Sequence, residues 1–294
     1  MASVETSSSL PLRDGRALGY RLSHPSGAES NDRIVLLSNS LMAPYRMWDN
    51  FVSHLLSQGL SVLCYDQIGH GLSSVNSSTV EETTFQTLVT DVQELLDALE
   101  ITVLYAWVGC SMGAATGLIF SVRNPGRVRR LVLCDTISSS PAAAGSSDVF
   151  EARVQTAKKE GNLDVLVEST LDRWFSKEWQ DQNEREVQRM RGIMKTTKVE
   201  GFVACCRALQ DRDFDLRPLA HKVGSAVESV MIIVGELDAN LPDTMADLKK
   251  QIDESFKQRG NNSQAKWALI KKAGHVCVID GFEDYRKAVT SFLM

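Results

Sequence analysis

The chain has 294 residues, is 43% hydrophobic and 23% charged, and carries a formal net charge of -5 at pH 7. These values are typical of a globular protein and exclude a disordered, collagen-like or strongly basic nucleic-acid-binding chain. The N-terminal residues do not read as a signal peptide, no apolar run reaches the roughly 18 residues of a membrane span, and the six cysteines show no C-x-x-C spacing. We therefore predict a soluble, cytoplasmic protein with buried thiols, no metal site, and neither membrane nor nucleic acid as a partner.

In the first half of the chain, short apolar runs alternate with amphipathic segments. Asp14 and Gly15 lie between two partly alternating segments, which predicts a β-hairpin over residues 10–22. The pattern then predicts a strand over 33–38, a helix over 47–56, a strand over 61–65, a helix over 84–99, a strand over 103–108, a helix to Arg123 and a strand over 130–134. Because these strands are almost continuously apolar, we expect a mostly parallel sheet covered by helices on both faces.

From residue 138 to about residue 219 this alternation stops, and helical, charge-rich sequence takes its place. Helices are predicted there over 150–159, 163–175 and 183–194. The alternation of strands and helices then resumes, with strands predicted over 229–234 and 266–270 and helices over 243–256 and 281–293. We therefore predict an α/β fold with a core domain of residues 1–137 and 220–294 and an inserted helical subdomain of residues 138–219, called the cap below.

A candidate nucleophile follows the strand predicted over 103–108. The sequence Gly109-Cys110-Ser111-Met112-Gly113 ends this strand, and small residues then begin a helix. A G-x-S-x-G motif in this context is typical of a nucleophile elbow, where a strained serine needs small neighbours two positions away on either side. A serine hydroxyl also needs a general base and a carboxylate that orients the base. Ser111 is therefore the candidate nucleophile.

The candidate base and acid follow late strands, in the order that this arrangement requires. Asp238 follows the apolar run 231–235, and His275 follows the strand over 266–270 and a short turn. Since the carboxyl ends of parallel strands meet at one edge of the sheet, these side chains can converge with Ser111. Asp135 also ends a predicted strand at this edge and is the alternative acid.

Two backbone donors are expected to stabilise the oxyanion that forms when the serine attacks a carbonyl. One is the N–H of Met112, directly after the nucleophile. The other should come from the loop after the strand over 33–38, where we assign it to the N–H of Leu41 and keep Ser40 as a neighbouring polar candidate.

A second loop, residues 66–74, contains Gly69-His70-Gly71 between a predicted strand and a predicted helix. Glycines in this position can form a phosphate-binding loop, but that motif requires Lys followed by Ser or Thr after the glycines. This sequence lacks them. We interpret the segment, called the glycine turn below, as a structural turn near the pocket.

Taken together, these segments resemble the 3-oxoadipate enol-lactonase group of α/β-hydrolases, and the resemblance covers nearly the whole chain. In the core it is carried by Leu37-Ser-Asn-Ser-Leu41, Met47-Trp-Asp49, Tyr65-Asp66, Gly69-His-Gly71 with Ser73, and the elbow 109–113. In the cap it is carried by Arg173-Trp-Phe175, Gly201 and Ala204-Cys-Cys-Arg-Ala-Leu209. The cap strings are the more specific part, because α/β-hydrolases in general share the elbow.

The resemblance implies an α/β-hydrolase fold, a lactone or ester of a small molecule as substrate, and no cofactor. It carries over Ser111, Asp238 and His275 as a catalytic triad, Leu41 and Met112 as oxyanion donors, and Trp174 as a candidate pocket wall. The chain departs from the group at several positions, including Ile68 in place of an arginine and a longer stretch between Asp238 and His275. Met42 replaces a glycine and places a larger side chain beside the oxyanion loop, and Asp135 replaces an asparagine.

The expected reaction is acyl transfer from the substrate to Ser111 and then to water. A carboxylate on the substrate would need a cationic partner, for which Arg46 near the oxyanion loop and Arg173 in the cap are the candidates. Cofactor-free perhydrolase or C–C hydrolase chemistry on the same triad is an alternative. A receptor-like α/β-hydrolase that binds a small ligand is another, and the sequence leaves monomer and homodimer equally open.

Overall fold

The computed structural model describes residues 4–26, 33–260 and 263–294. Within these residues, eight strands form a single sheet. They are β1 (Val4–Pro11), β2 (Ala17–His24), β3 (Ile34–Ser38), β4 (Ser61–Tyr65), β5 (Leu104–Cys110), β6 (Val128–Cys134), β7 (Ser229–Gly235) and β8 (Lys266–Ile270). Every predicted strand is present, with small shifts at the ends.

The strand order across the sheet is β1-β2-β4-β3-β5-β6-β7-β8. The two pairs that involve β2 are antiparallel, and all pairs from β4 to β8 are parallel. Strands β3 and β4 are buried at every position, as expected for strands covered on both faces. The prediction of an α/β fold with a mostly parallel sheet is confirmed.

Thirteen α-helices occur in the described part of the chain. In the first segment of the core they are α1 (Asp49–Ser57), α2 (Phe85–Ala98) and α3 (Met112–Arg123). Between β6 and β7 they are α4 (Pro141–Ala144), α5 (Val149–Glu160), α6 (Asp164–Trp174), α7 (Lys177–Gln182), α8 (Glu184–Met194), α9 (Val199–Gln210) and α10 (Arg217–Ala220). The last three are α11 (Leu241–Lys257), α12 (Cys277–Asp280) and α13 (Phe282–Leu293).

The N-terminal hairpin is tied to helix α2 by a buried ion pair. Gly15 has a φ of 84° in the turn between β1 and β2, a conformation that glycine adopts without strain. The next residue, Arg16, donates to both carboxylate oxygens of Asp91 on α2, at 2.8 and 2.5 Å. Both side chains are about 5% exposed, so the pair fixes the hairpin against the helix in a low-dielectric setting.

The cap contains four helices that the sequence did not predict, α4, α7, α9 and α10. Eight of the twelve residues of α9 are buried, and its polar residues Glu200, Arg207 and Gln210 lie on one face. The assignment of residues 138–219 to a separate subdomain stays a prediction.

Three further observations concern side-chain chemistry and membranes. All six cysteines are buried free thiols. Across residues 4–26, 33–260 and 263–294, no three His, Cys, Asp or Glu side chains are grouped so that they could hold a metal ion. In the same residues, no helix combines the length and the apolarity needed to cross a bilayer.

Candidate active site

Ser111 occupies a strained turn between β5 and α3. Its backbone has φ 54° and ψ -120°, a region that costs a non-glycine residue about 1–3 kcal/mol. A Cβ on Gly109 would lie 2.3 Å from the carbonyl oxygen of Gly113, and a Cβ on Gly113 would lie 2.2 Å from that of Ser38. Both positions therefore require glycine, and the geometry is that of a nucleophile elbow.

The side chains of Ser111, His275 and Asp238 form a hydrogen-bonded chain. His275 Nδ1 lies 2.7 Å from Asp238 Oδ2, and His275 Nε2 lies 2.9 Å from Ser111 Oγ. An ionised carboxylate can only accept, so Nδ1 carries the proton and Nε2 accepts the hydrogen bond from the serine hydroxyl. Asp238 and His275 are each 7% exposed, and this leaves the imidazole poised to take the proton of Ser111.

Asp135, the alternative acid, lies in the same region but makes different contacts. Its Oδ1 accepts the N–H of Gly235 at 2.7 Å, and its Oδ2 accepts the thiol of Cys277 at 3.2 Å. The side chain is fully buried. Burial, followed by the charge of Asp238, raises the pKa of Asp135 well above its usual value. The carboxylate that hydrogen-bonds to His275 is that of Asp238.

The oxyanion loop, residues 38–45, places one of the predicted donors at a turn. Ala43 N–H donates to Ser40 O at 3.2 Å, which makes Leu41 and Met42 the central residues of a β-turn. No acceptor within the described residues bonds to the N–H of Leu41. Met112 is the first residue of α3, so its N–H has no partner within the helix. Both predicted donors are thus available to a ligand.

Ser40 and Met42, the other candidates on this loop, are both fully buried. The hydroxyl of Ser40 donates to the thiol of Cys110 at 3.2 Å, beneath the loop. The N–H of Met42 donates to His70 Nε2 at 2.9 Å. Its sulfur accepts the hydroxyl of Thr170 from the cap at 3.7 Å. The polar groups of both residues therefore bond to the protein.

The cap helps to position His275. The indole of Trp174 stacks on the His275 ring, with centroids 5.9 Å apart and planes inclined by 28°. The carbonyl of Trp174 accepts the backbone N–H of His275 at 3.2 Å. Asp280 supports the same loop by accepting the N–H of Gly274 at 2.7 Å, and burial raises the pKa of Asp280 to about 7.

Two arginines of the cap lie near this site without ion-pair partners among the described residues. Arg173 is exposed, yet the protein around its guanidinium and then the charge of Arg153 lower its pKa to about 10, while Asp238 acts in the opposite direction. Arg153 bonds to the hydroxyl of Thr170 at 2.9 Å and lies over the ring of Phe202, 5.5 Å from its centroid.

Arg46, the other cationic candidate, lies at the protein surface. Its side chain is 65% exposed and approaches Asp49 at 3.5 Å. Its carbonyl accepts a hydrogen bond from Arg189 of the cap at 2.7 Å. The contacts of Arg46 are therefore with the outside of the cap, and Arg173 is the candidate that lies near the triad.

A crevice of about 390 Å³ opens between the start of the cap and helix α11. Ile137, Phe150 and Leu241 contribute apolar walls to it. The N–H of Leu241 donates to the carbonyl of Asp238 at 2.9 Å, so the crevice lies beside the acid of the triad. Two other clefts have volumes of about 650 and 620 Å³, and none of the three clefts has Ser111, Asp238 or His275 in its walls.

Sequence reasoning missed His70, Arg153 and Thr170 as parts of this region. The available signal for Arg153 was its position in α5, where it shares a helix face with Phe150, Val154 and Ala157. An arginine within an apolar stripe points toward an interior rather than toward solvent. His70 and Thr170 carried no such signal, because their contacts come from segments distant in the sequence.

Comparisons with known proteins agree with this geometry. A family model described as alpha/beta hydrolase fold matches residues 34–282. The chain is 32% identical over 226 residues to 3-oxoadipate enol-lactonase 1 of Acinetobacter baylyi, covering 77% of each protein. It is 27% identical over 217 residues to 3-oxoadipate enol-lactonase 2 of the same organism, covering 74% of this chain and 76% of the relative. The enol-lactonase structure from Burkholderia xenovorans LB400 superposes with a TM-score of 0.81 at 27% identity, over 97% of this chain and 99% of that one.

Proposed function

This chain belongs to the α/β-hydrolase family and is a hydrolase that acts on ester bonds. We propose that it hydrolyses the ring ester bond of a lactone that carries a carboxylate, and that Ser111, His275 and Asp238 perform the reaction. The observation that carries the proposal is the hydrogen-bonded chain from Ser111 Oγ to His275 Nε2 and from His275 Nδ1 to Asp238. It supplies a nucleophile, a base and an orienting carboxylate in the geometry that acyl transfer requires.

In the first half of the reaction, Ser111 Oγ attacks the lactone carbonyl while His275 Nε2 takes its proton. Asp238 stabilises the imidazolium that results. The N–H groups of Leu41 and Met112 hold the oxyanion of the tetrahedral intermediate. When the ring C–O bond breaks, the leaving oxygen takes the proton from His275, and the opened substrate stays attached to Ser111 as an ester.

In the second half, His275 removes a proton from a water molecule that attacks this ester. A second tetrahedral intermediate uses the same two backbone donors. Its collapse returns the proton to Ser111 Oγ and releases a hydroxy acid, or its keto tautomer when the lactone is an enol ester. Apart from this water molecule, the proposed reaction uses only groups of the protein and the substrate.

The cap arginines support an anionic substrate. Arg173, which is exposed, and Arg153, which is half-buried, place positive charge near Asp238 without an ion-pair partner among the described residues. A guanidinium in such surroundings binds a carboxylate by charge-assisted, often bidentate hydrogen bonds. The relatives are named for 3-oxoadipate enol-lactone, and for this chain we propose a lactone whose acyl part or ring substituent carries a carboxylate.

The test compares wild type with Ser111→Ala on carboxylated lactones, neutral lactones and aryl esters. Ser57→Ala, at an exposed serine on α1, is the control for changing a serine far from the site. We expect loss of nearly all turnover in the Ser111→Ala protein only, and acylation of Ser111 detectable by mass spectrometry in wild type. Turnover by Ser111→Ala close to that of wild type would refute the proposed mechanism.

A further inference from the structure

The oxyanion loop rests on the glycine turn, residues 66–74. Hydrogen bonds join them from Gln67 Nε2 to the carbonyl of Asn39 at 2.9 Å and from the N–H of Tyr45 to Asp66 at 2.7 Å. A third runs from the N–H of Met42 to Nε2 of His70 at 2.9 Å. This third bond is made by the peptide group that directly follows Leu41, the proposed oxyanion donor.

The turn at Leu41 and Met42 has a conformation that methionine rarely adopts. Met42 has a φ of 75°, whereas Leu41 does not have a positive φ. With the hydrogen bond from Ala43 N–H to Ser40 O, this defines a type II turn, whose third position is usually glycine. A type I turn, which methionine accepts readily, differs by a flip of the peptide between Leu41 and Met42.

His70 is in the protonation state needed to select between these turns. Its Nδ1 lies 2.9 Å from the carbonyl oxygen of Ile68, which can only accept, so Nδ1 carries the proton. Nε2 is therefore an acceptor for the N–H of Met42. The ring is fully buried, and burial lowers the pKa of His70 to about 4, so the imidazole is neutral near pH 7.

We propose that His70 is a positioning residue that holds the peptide between Leu41 and Met42 in the type II turn and so fixes the backbone next to the peptide that carries the Leu41 N–H, the oxyanion donor. In the flipped turn, the carbonyl of Leu41 would replace the Met42 N–H in front of Nε2, and two acceptors would face each other. The hydroxyl of Thr197, in the cap, donates to the carbonyl of Met42 at 3.2 Å and supports the same turn from the other side.

This inference rests on the proposed function, because the Leu41 N–H matters only if Ser111 forms an oxyanion. It also explains how this chain accommodates methionine at a glycine-like position. The left-handed backbone of Met42 is unfavourable by itself and persists where the surroundings hold it. Here the hydrogen bond from Met42 to His70, a residue of the core, holds this backbone. The glycine turn also packs closely against the cap, because a Cβ on Gly201 of α9 would lie 2.5 Å from Gly69 Cα.

The experiment uses a matched pair of substitutions in the full-length protein. In His70→Gln, the side-chain oxygen can reach the position of Nε2 and keep the bond to Met42 while losing the bond to Ile68. In His70→Asn, the shorter amide can keep the bond to Ile68 but cannot reach Met42. We expect kcat for p-nitrophenyl acetate to fall about 5- to 30-fold in the Asn variant, the population penalty of an unaided left-handed residue. KM should change little, and the Gln variant should stay near wild type.

Two further measurements separate positioning from a general loss of structure. Met42→Gly removes the backbone strain, so adding His70→Asn to it should reduce kcat far less than His70→Asn does in wild type. Phenylboronic acid forms a tetrahedral adduct with the nucleophilic serine and so reports on the oxyanion donors. Its inhibition constant should rise in the Asn variant in proportion to the loss of kcat/KM.

Equal losses in the Gln and Asn variants, wild-type kcat in the Asn variant, or unchanged affinity for phenylboronic acid would overturn the positioning role. If the Asn variant does not fold, ¹⁵N NMR of histidine-labelled wild type determines which ring nitrogen of His70 carries the proton. An unprotonated Nε2 at neutral pH supports the proposal, and a protonated Nε2 contradicts it. A failure of the proposed function gives a different result, because in that case the Ser111→Ala protein retains turnover.

Discussion

Replacing Arg173 by methionine removes an exposed guanidinium of the cap while keeping most of the length of the side chain. Arg173 has no ion-pair partner among the described residues and lies close enough to Asp238 and Arg153 for their charges to affect its pKa. We predict that Arg173→Met lowers kcat/KM for carboxylated lactones and leaves kcat/KM for neutral lactones nearly unchanged.

The magnitude follows from the interaction that Arg173 can offer. A hydrogen bond to a charged group contributes about 1.5–3 kcal/mol when its partner is desolvated. Since about 1.4 kcal/mol corresponds to a factor of ten, the loss should be roughly 10- to 150-fold in kcat/KM. If the carboxylate lies far from the reacting carbonyl, the effect should appear mainly in KM. Arg173→Lys should recover only part of it, because an ammonium cannot bind a carboxylate in bidentate fashion.

The assay measures initial rates on a pair of lactones that differ only in one carboxylate. Arg185→Met is the matched control, since Arg185 is an exposed arginine on α8 of the same cap and its removal changes the net charge equally. Equal losses on the charged and neutral lactones, or an Arg185→Met effect as large as that of Arg173→Met, would refute an anion-binding role.

Further predictions concern the acid of the triad, the hairpin and the pH dependence of stability. Asp238→Asn should lower kcat about 10⁴-fold because the imidazole loses its tautomer and orientation. Asp135→Asn should keep kcat within about an order of magnitude, because the hydrogen bonds of Asp135 are with the N–H of Gly235 and the thiol of Cys277, and an amide can form both. Steady-state kinetics of both variants checks this, and the reverse ranking would assign the acid to Asp135. Asp91→Ala should lower the free energy of unfolding in urea by about 3 kcal/mol, because it leaves the buried charge of Arg16 with only Asp14, whose side chain is 46% exposed, as a partner. A change below about 1 kcal/mol would show that the hairpin is held by other contacts. Burial raises the pKa of Asp280 from 3.8 to about 7, so between these values the folded protein binds more protons than the unfolded chain. The free energy of unfolding of wild type, relative to Asp280→Asn, should therefore decrease as the pH rises from about 4 to about 7, and a parallel pH dependence of the two proteins would contradict the assigned pKa.

Some elements were predictable because their signal is local. The capped, amphipathic helix α2 was expected over 84–99 and begins at Phe85, after a side chain of Thr84 that accepts the N–H of Thr87. The elbow was expected because Gly109 and Gly113 are needed wherever a strained serine follows a strand. Helix α9 was not predicted, although its buried residues and its polar residues Glu200, Arg207 and Gln210 alternate with a helical period.

The sequence by itself determined the α/β class, the motif around Ser111, and the order in which acid and base follow it, because periodicity, glycine spacing and chain order are properties of short segments. It left the acid open between Asp135 and Asp238, since both end strands at the same edge. Only the tertiary structure distinguishes their contacts, because Asp238 lies 2.7 Å from His275 whereas Asp135 bonds to Gly235 and Cys277. It also joined His70 to Met42 and brought Arg173 close enough to Asp238 for their charges to interact. Such pairings depend on how distant segments pack, and no local pattern in the chain encodes them.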